Sequence, residues 1–254
     1  MNSVKEKTDN IKSKKGIYKE QRQYNVFSNK IIDNIKKEYK IKIRKKLLNL
    51  NVLIIYLIFI TKEKNYINSQ YSFITLKINN IGINKIYYDG DNNNGGCSPG
   101  APLPDEIYIN NINQSKVQYY YDFNQSENIV NLVFHKPIDK TTCMFVKCSN
   151  ITEVDLSNFD TSQLTRMNSM FTGCSSLKSI DFTNVNTSRV EWMGWMFNNC
   201  PSLTSLNLSN FDTSKVIWTF NMFQGCSSLK TLDLKNFVTP KLTETYNMFK
   251  GCTS

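Results

Sequence analysis

Histidine is almost absent from this chain. The single one, His135, stands before Lys136-Pro137 at the end of an expected strand. Zinc sites draw several His or Cys ligands from closely spaced positions. Here there is no second histidine, and none of the seven cysteines falls in a Cys-x-x-Cys pair, Cys143 and Cys148 being separated by four residues. A Ser/His/Asp triad would have to be built around His135, yet no serine lies in Gly-x-Ser-x-Gly. No glycine-rich phosphate loop occurs either. His135 is therefore expected to be a surface or partly buried residue. The chain is expected to be no enzyme, with no catalytic residue, no cofactor and no metal.

An apolar run of full bilayer length is also missing. The uncharged run Leu47–Ile60 follows Lys42-Ile43-Arg44-Lys45-Lys46 and precedes Lys62-Glu63-Lys64. Its 14 residues would span roughly 21 Å as a helix, against about 30 Å of hydrocarbon. That length suits a signal-peptide core, or a signal anchor with the cationic side in the cytoplasm; the alternative is a buried core helix. Either export route places residues 65–254 outside the cytosol. Residues 47–60 would meet the membrane if uncleaved.

Excess charge is missing from most of the chain. The formal net charge is +10, but residues 1–46 carry 15 basic and 5 acidic side chains while residues 47–254 carry 16 of each. The basic lead could bind acidic lipid or nucleic acid. Nothing of the kind is expected of the remainder. Residues 1–46, polar and rich in Lys and Asn, read as disordered or only weakly helical.

What is present is periodicity. Cys148, Cys174, Cys200, Cys226 and Cys252 are each 26 residues apart, and Met-Phe pairs at 144–145, 170–171, 196–197, 222–223 and 248–249 keep the same interval. Repetition at this period marks units that bury their apolar faces only against their neighbours. Each unit over 142–254 shows Leu-x-x-Leu-x-Leu spacing, as in Leu203/Leu206/Leu208, then an Asn-Phe-Asp-Thr-Ser-like turn. The Thr (161, 187, 213, 239) reads as a helix N-cap, Pro240 as a first helical residue, and Gly173, Asn199, Gly225 and Gly251 as helix stops. Met167, Met170 and Phe171 then fall on one helix face. The expected fold is α/β, a solenoid of strand–turn–helix coils with a parallel sheet. A small β-rich cap over 70–141 precedes it, with strands at Phe73–Ile78, Lys85–Tyr88, Glu106–Ile109, Lys116–Tyr121 and Ile129–Phe134 and a loop at Asp89–Pro104.

Seven cysteines leave at least one unpaired within the chain. The five periodic ones would point in parallel and are expected to be reduced and buried. Cys97 and Cys143, outside the column, are the candidate disulfide. Sequons mark Asn113, Asn124, Asn150, Asn186 and Asn207 as candidate glycosylation sites. Stacked strands would expose Glu153, Asp155, Lys178, Asp181, Thr204, Asn207, Lys230 and Asp233 as candidate partner-binding positions, with a mostly acidic stripe through Asp155, Asp181, Asn207 and Asp233.

The pattern Met-Phe-x-Gly-Cys-Ser-Ser-Leu-Lys-x-Leu/Ile-Asp-Leu/Phe, followed by Asn-Phe-Asp-Thr-Ser-x-Val, resembles the BspA-like leucine-rich-repeat surface proteins over 142–254. The lead through Pro104-Asp105-Glu106-Ile107-Tyr108-Ile109-Asn110 also looks like that of their eukaryotic members. The resemblance implies a right-handed solenoid, display at the cell surface or secretion, and binding of an unidentified protein or glycoprotein, or adhesion, without catalytic residues. The alternative is an intracellular scaffold with a basic membrane- or nucleic-acid-binding tail.

Overall fold

The computed structural model describes residues 71–90, 97 and 100–254. The expectations for residues 1–46 and for the 47–60 run lie outside them. Among the described residues there are ten strands and no helix. The first six are β1 (Ser72–Ile78), β2 (Gly82–Lys85), β3 (Glu106–Ile109), β4 (Ile112–Asn113), β5 (Tyr120–Phe123) and β6 (Asn128–Phe134). In β1 the alternation of strand side chains sends Ile74, Leu76 and Ile78 wholly inward while Thr75 and Lys77 face out. In β6, Val130, Leu132 and Phe134 do the same, and Leu76 stands opposite Val130 in the antiparallel register. The expected strands at 73–78, 106–109 and 129–134 match β1, β3 and β6 to within a residue. The other two shift. Gly82, at φ +84°, turns the chain into β2 ahead of Lys85, and β5 starts only at Tyr120.

The repeats contribute β7 (Ile151–Asp155), β8 (Ser179–Asp181), β9 (Ser205–Leu206) and β10 (Thr231–Leu232). Strand β7 runs antiparallel to β1 on one side and parallel to β8 on the other, within a six-stranded sheet ordered β4-β3-β6-β1-β7-β8. The lead segment and the first repeat therefore share one sheet and one continuous core. Strands β9 and β10 pair in parallel, and β2 pairs with β5.

Successive 26-residue units lie in parallel register. Phe145, Phe171, Phe197, Phe223 and Phe249 form a column with ring centroids 5.5–5.7 Å apart. Tyr87 closes its first end edge-on and donates a hydroxyl hydrogen bond to the Pro102 carbonyl. The first four Phe rings are wholly buried, each stabilising the fold by about 1.5–3 kcal/mol. Beside them the periodic cysteines are free, and Cys174, Cys200, Cys226 and Cys252 each donate a weak S–H bond to the carbonyl of the Phe 29 residues earlier, at 3.0–3.1 Å. Cys97 and Cys143 are joined by a disulfide across a Cα–Cα distance of 5.6 Å.

The α/β solenoid of strand–turn–helix coils is overturned: the described part is all-β, with antiparallel and mixed sheets. Where helices were expected, the N–H groups alternate between two duties. Those of Met167, Ser169, Phe171 and Gly173 donate to carbonyls of the next unit (Trp192, Gly194, Met196, Asn198). Those of Met170, Thr172 and Cys174 close three-residue turns onto Met167, Ser169 and Phe171. Left-handed residues recur twice per unit, at Ser169 and Gly173 and again at Trp195 and Asn199, which no continuous α-helix accommodates. Such turns return every third residue inward, so the apolar spacing mimics a helix.

The expected N-cap threonines instead join neighbouring units. Thr161 Oγ1 accepts the Asn186 N–H, while Thr187 and Thr213 hydroxyls donate to the Asp212 and Val238 carbonyls. No helix among the described residues is long and apolar enough to cross a membrane, so the transmembrane expectation has no support there.

Candidate interaction surface

After each inward-facing Leu164, Val190 or Val216, the chain turns outward for two residues and then bridges to its neighbours in parallel through Lys140, Arg166, Trp192, Trp218 and Glu244. The central three form a column. The Arg166 guanidinium lies 3.9 Å from the centroid of the Trp192 ring, which stacks on Trp218 at 4.6 Å. Both indoles are half-buried. A guanidinium over an indole is attracted by the ring quadrupole, by about 0.5–1 kcal/mol at an exposed site.

A second aromatic group adjoins this column. Trp195 meets Phe220 edge-on at 4.3 Å, Phe220 stacks on Tyr246 at 5.1 Å, and Trp218 lies 6.0 Å from Phe220. All three tryptophans of the chain are thus gathered on one side. Gly194 makes room for them, because a β-carbon there would come within 3.0–3.3 Å of the Phe220 ring. Trp195 itself sits at φ +56°, in a column whose other members are Cys143, Ser169, Asn221 and Asn247, all at positive φ. Asn tolerates that backbone, whereas a bulky aromatic pays for it in steric strain.

The next outward column over is Gln163, Arg189, Lys215 and Lys241, all exposed. Arg189 donates to the Gln163 side-chain oxygen at 3.3 Å. None of Arg189, Lys215 and Lys241 makes an ion pair among the described residues, unlike Lys77, Lys85 and Lys235. Glu191 and Glu244 lie within the face, and the exposed Asp212, whose carboxyl is held below its ordinary range chiefly by hydrogen bonds from Ser214, lies close to Lys215.

The eight positions expected to bind partners lie on the strand side. Glu153, Asp155 and Asp181 line a shallow depression with Thr75, Lys77 and Ile129, and Glu153 pairs with Lys77 at 3.3 Å. Lys178, Thr204 and Lys230 form an adjoining exposed column tied through backbone bonds, the Lys230 N–H donating to the Thr204 carbonyl. The stripe has a structural duty. Asp155, Asp181, Asn207 and Asp233 each accept the N–H two residues on, from Ser157, Thr183, Ser209 and Lys235. Hydrogen bonds from Thr183 hold the Asp181 carboxyl below its ordinary range, and bonds from Lys235 do so for Asp233.

His135 is half-buried, with Nε2 2.9 Å from Glu106 and its ring against Tyr71. Among the described residues no group of His, Cys, Asp and Glu could hold a metal. Of the sequon asparagines, Asn113, Asn124, Asn186 and Asn207 are exposed, whereas the Asn150 amide donates to Asn84. Asn186 and Asn207 also cap their turns through side-chain oxygens.

The sequence held one signal for the aromatic face: Trp192 and Trp218 are one period apart, with Trp195 between them.

Residues 139–254 match a family model described as a Mycoplasma protein of unknown function, DUF285. This corrects the resemblance drawn from the repeats, since neither a BspA-like nor a leucine-rich-repeat family matches. No curated protein matches. No solved structure matches either.

Proposed function

We propose that this chain is a non-enzymatic binding or adhesion module, displayed at the cell surface or secreted, whose protein or glycoprotein ligand docks on the Arg166–Trp192–Trp218 face. One observation carries the proposal. Trp195 occupies a left-handed position that neighbouring units fill with Ser or Asn, so the fold gains nothing in backbone energy from a tryptophan there. Strained side chains of this kind collect at functional sites. Trp, Tyr and Arg, the residue types gathered here, dominate the energetics of protein interfaces. The Cys97–Cys143 disulfide favours an oxidising compartment and so a place outside the cytosol.

The test uses labelled full-length chain and intact host cells. Trp195→Asn installs the residue type found in the two units that follow. It is expected to keep the fold while weakening cell binding by about 2 kcal/mol, the loss of one interface hot spot. Binding as tight as wild type in the folded variant sinks the proposal.

A further inference from the structure

We infer that the group recognised on this face is an acidic glycan, an extended chain of sugars bearing sulfate or carboxylate groups. The inference rests on the docking surface proposed above and names its partner's chemistry. Two neighbouring columns carry it. The aromatic one, Arg166–Trp192–Trp218, offers half-buried indole rings and a guanidinium to the C–H faces and hydroxyls of sugars. The cationic one, Arg189–Lys215–Lys241, offers three exposed positive charges, none of them in an ion pair among the described residues, although Asp212 lies near enough to Lys215 to feel its charge. Glu191 stands between the two columns as an acceptor for sugar hydroxyls.

Spacing selects the glycan over an acidic peptide. Parallel neighbours in the stack are about 4.8 Å apart. One pyranose advances an extended glycan by nearly that distance, so successive anionic sugars meet successive cations. Side chains on one edge of an extended peptide recur only every roughly 6.6 Å and fall out of step. The charges also lie on this face while residues 47–254 as a whole are neutral. The attraction is therefore local and not a property of overall charge.

The experiment titrates full-length protein with a sulfated heparin-type hexasaccharide and follows tryptophan emission. All three tryptophans lie on the proposed face, and none lies in the basic residues 1–46. A saturable change is expected. The triple variant Arg189→Gln/Lys215→Gln/Lys241→Gln should raise Kd about tenfold, as the loss of three exposed charge pairs implies. The charge-matched Lys116→Gln/Lys136→Gln/Lys250→Gln variant should shift it less than about twofold. Neutral dextran and polyglutamate should leave emission unaltered. Equal weakening in both triple variants, a polyglutamate response matching the hexasaccharide's, or emission unmoved by the hexasaccharide overturns the inference. A silent titration alongside loss of cell binding by Trp195→Asn leaves the docking surface standing with a different ligand.

Discussion

The Phe220 ring lies 3.0 Å from the point where a β-carbon on Gly194 would stand. One unit thus leaves out a side chain so that the next can lay an aromatic ring into the gap. Gly194→Ala is expected to destabilise the fold by about 1–3 kcal/mol, the usual cost of overpacking against a ring held on several sides. Urea unfolding followed by circular dichroism measures it. A stability equal to wild type would mean that Phe220 yields freely.

Thr219 offers the opposite case. Its hydroxyl is buried and makes no hydrogen bond among the described residues, in a column where Met167 and Met193 face the core. Valine keeps the shape and removes the unpaired group. Thr219→Val should therefore stabilise by up to about 1 kcal/mol, read as a rise in the denaturation midpoint at unchanged m-value. A lower midpoint would show that the hydroxyl has a partner after all.

The periodic thiols should be silent to reagents and sensitive to alkali. Burial pushes Cys148, Cys174, Cys200 and Cys226 above the usual thiol range, Cys226 to about 12. In native protein an aromatic disulfide reagent should modify Cys252, which is only partly buried, well before the other four. Because the folded state holds these protons more tightly than the unfolded chain, their contribution to stability is complete below the free-thiol pKa near 8.5. It falls as pH rises from there towards the folded values. Cys200→Ala should flatten that alkaline decline, measured as Tm between pH 7 and pH 10. An unchanged slope would assign the alkaline loss to other groups.

Asp181 separates the structural from the recognitive use of its stripe. Asn207, the equivalent residue one unit on, caps its turn with an uncharged oxygen. Asp181→Asn should therefore leave stability near wild type at pH 7, whereas Asp181→Ala should cost about 0.5–1.5 kcal/mol, the worth of one hydrogen bond. The lowered Asp181 pKa gives the sign with acid. Its contribution is present above the unfolded carboxylate range near 3.9 and is lost as pH falls through the lower folded value. Equal stabilities for the Ala and Asn variants would remove the cap from the account.

These outcomes bear on what the sequence made legible. The Met-Phe and Cys columns could be read directly, because a buried side chain recurring every 26 residues has to stack on its counterparts, and Phe171 on Phe197 does so with rings 4° from parallel. The helices could not. Turns closing on the third residue and helices of 3.6 residues per turn place Leu164, Met167 and Met170 inward alike. Only the backbone sign at Ser169 and Trp195 distinguishes them, and neither residue type announces a left-handed conformation. The duty of the stripe was hidden for a related reason. An aspartate after a strand looks the same whether it faces a partner or accepts the Thr183 N–H. The aromatic face is legible only in part, because Trp192 and Trp218 share a column with Lys140, Arg166 and Glu244, so the column reveals itself only when the units are laid over one another.

Every bond between neighbouring units links residues about one period apart, as Phe171 to Met196 and Phe197 to Met222. Excising or duplicating one whole period from the middle of the array would hand each donor an equivalent acceptor. Reach, and with it the number of contact points offered to a long ligand, can therefore change in steps of a single unit with the backbone bonding kept, provided the cut leaves fitted pairs such as Gly194 and Phe220 together.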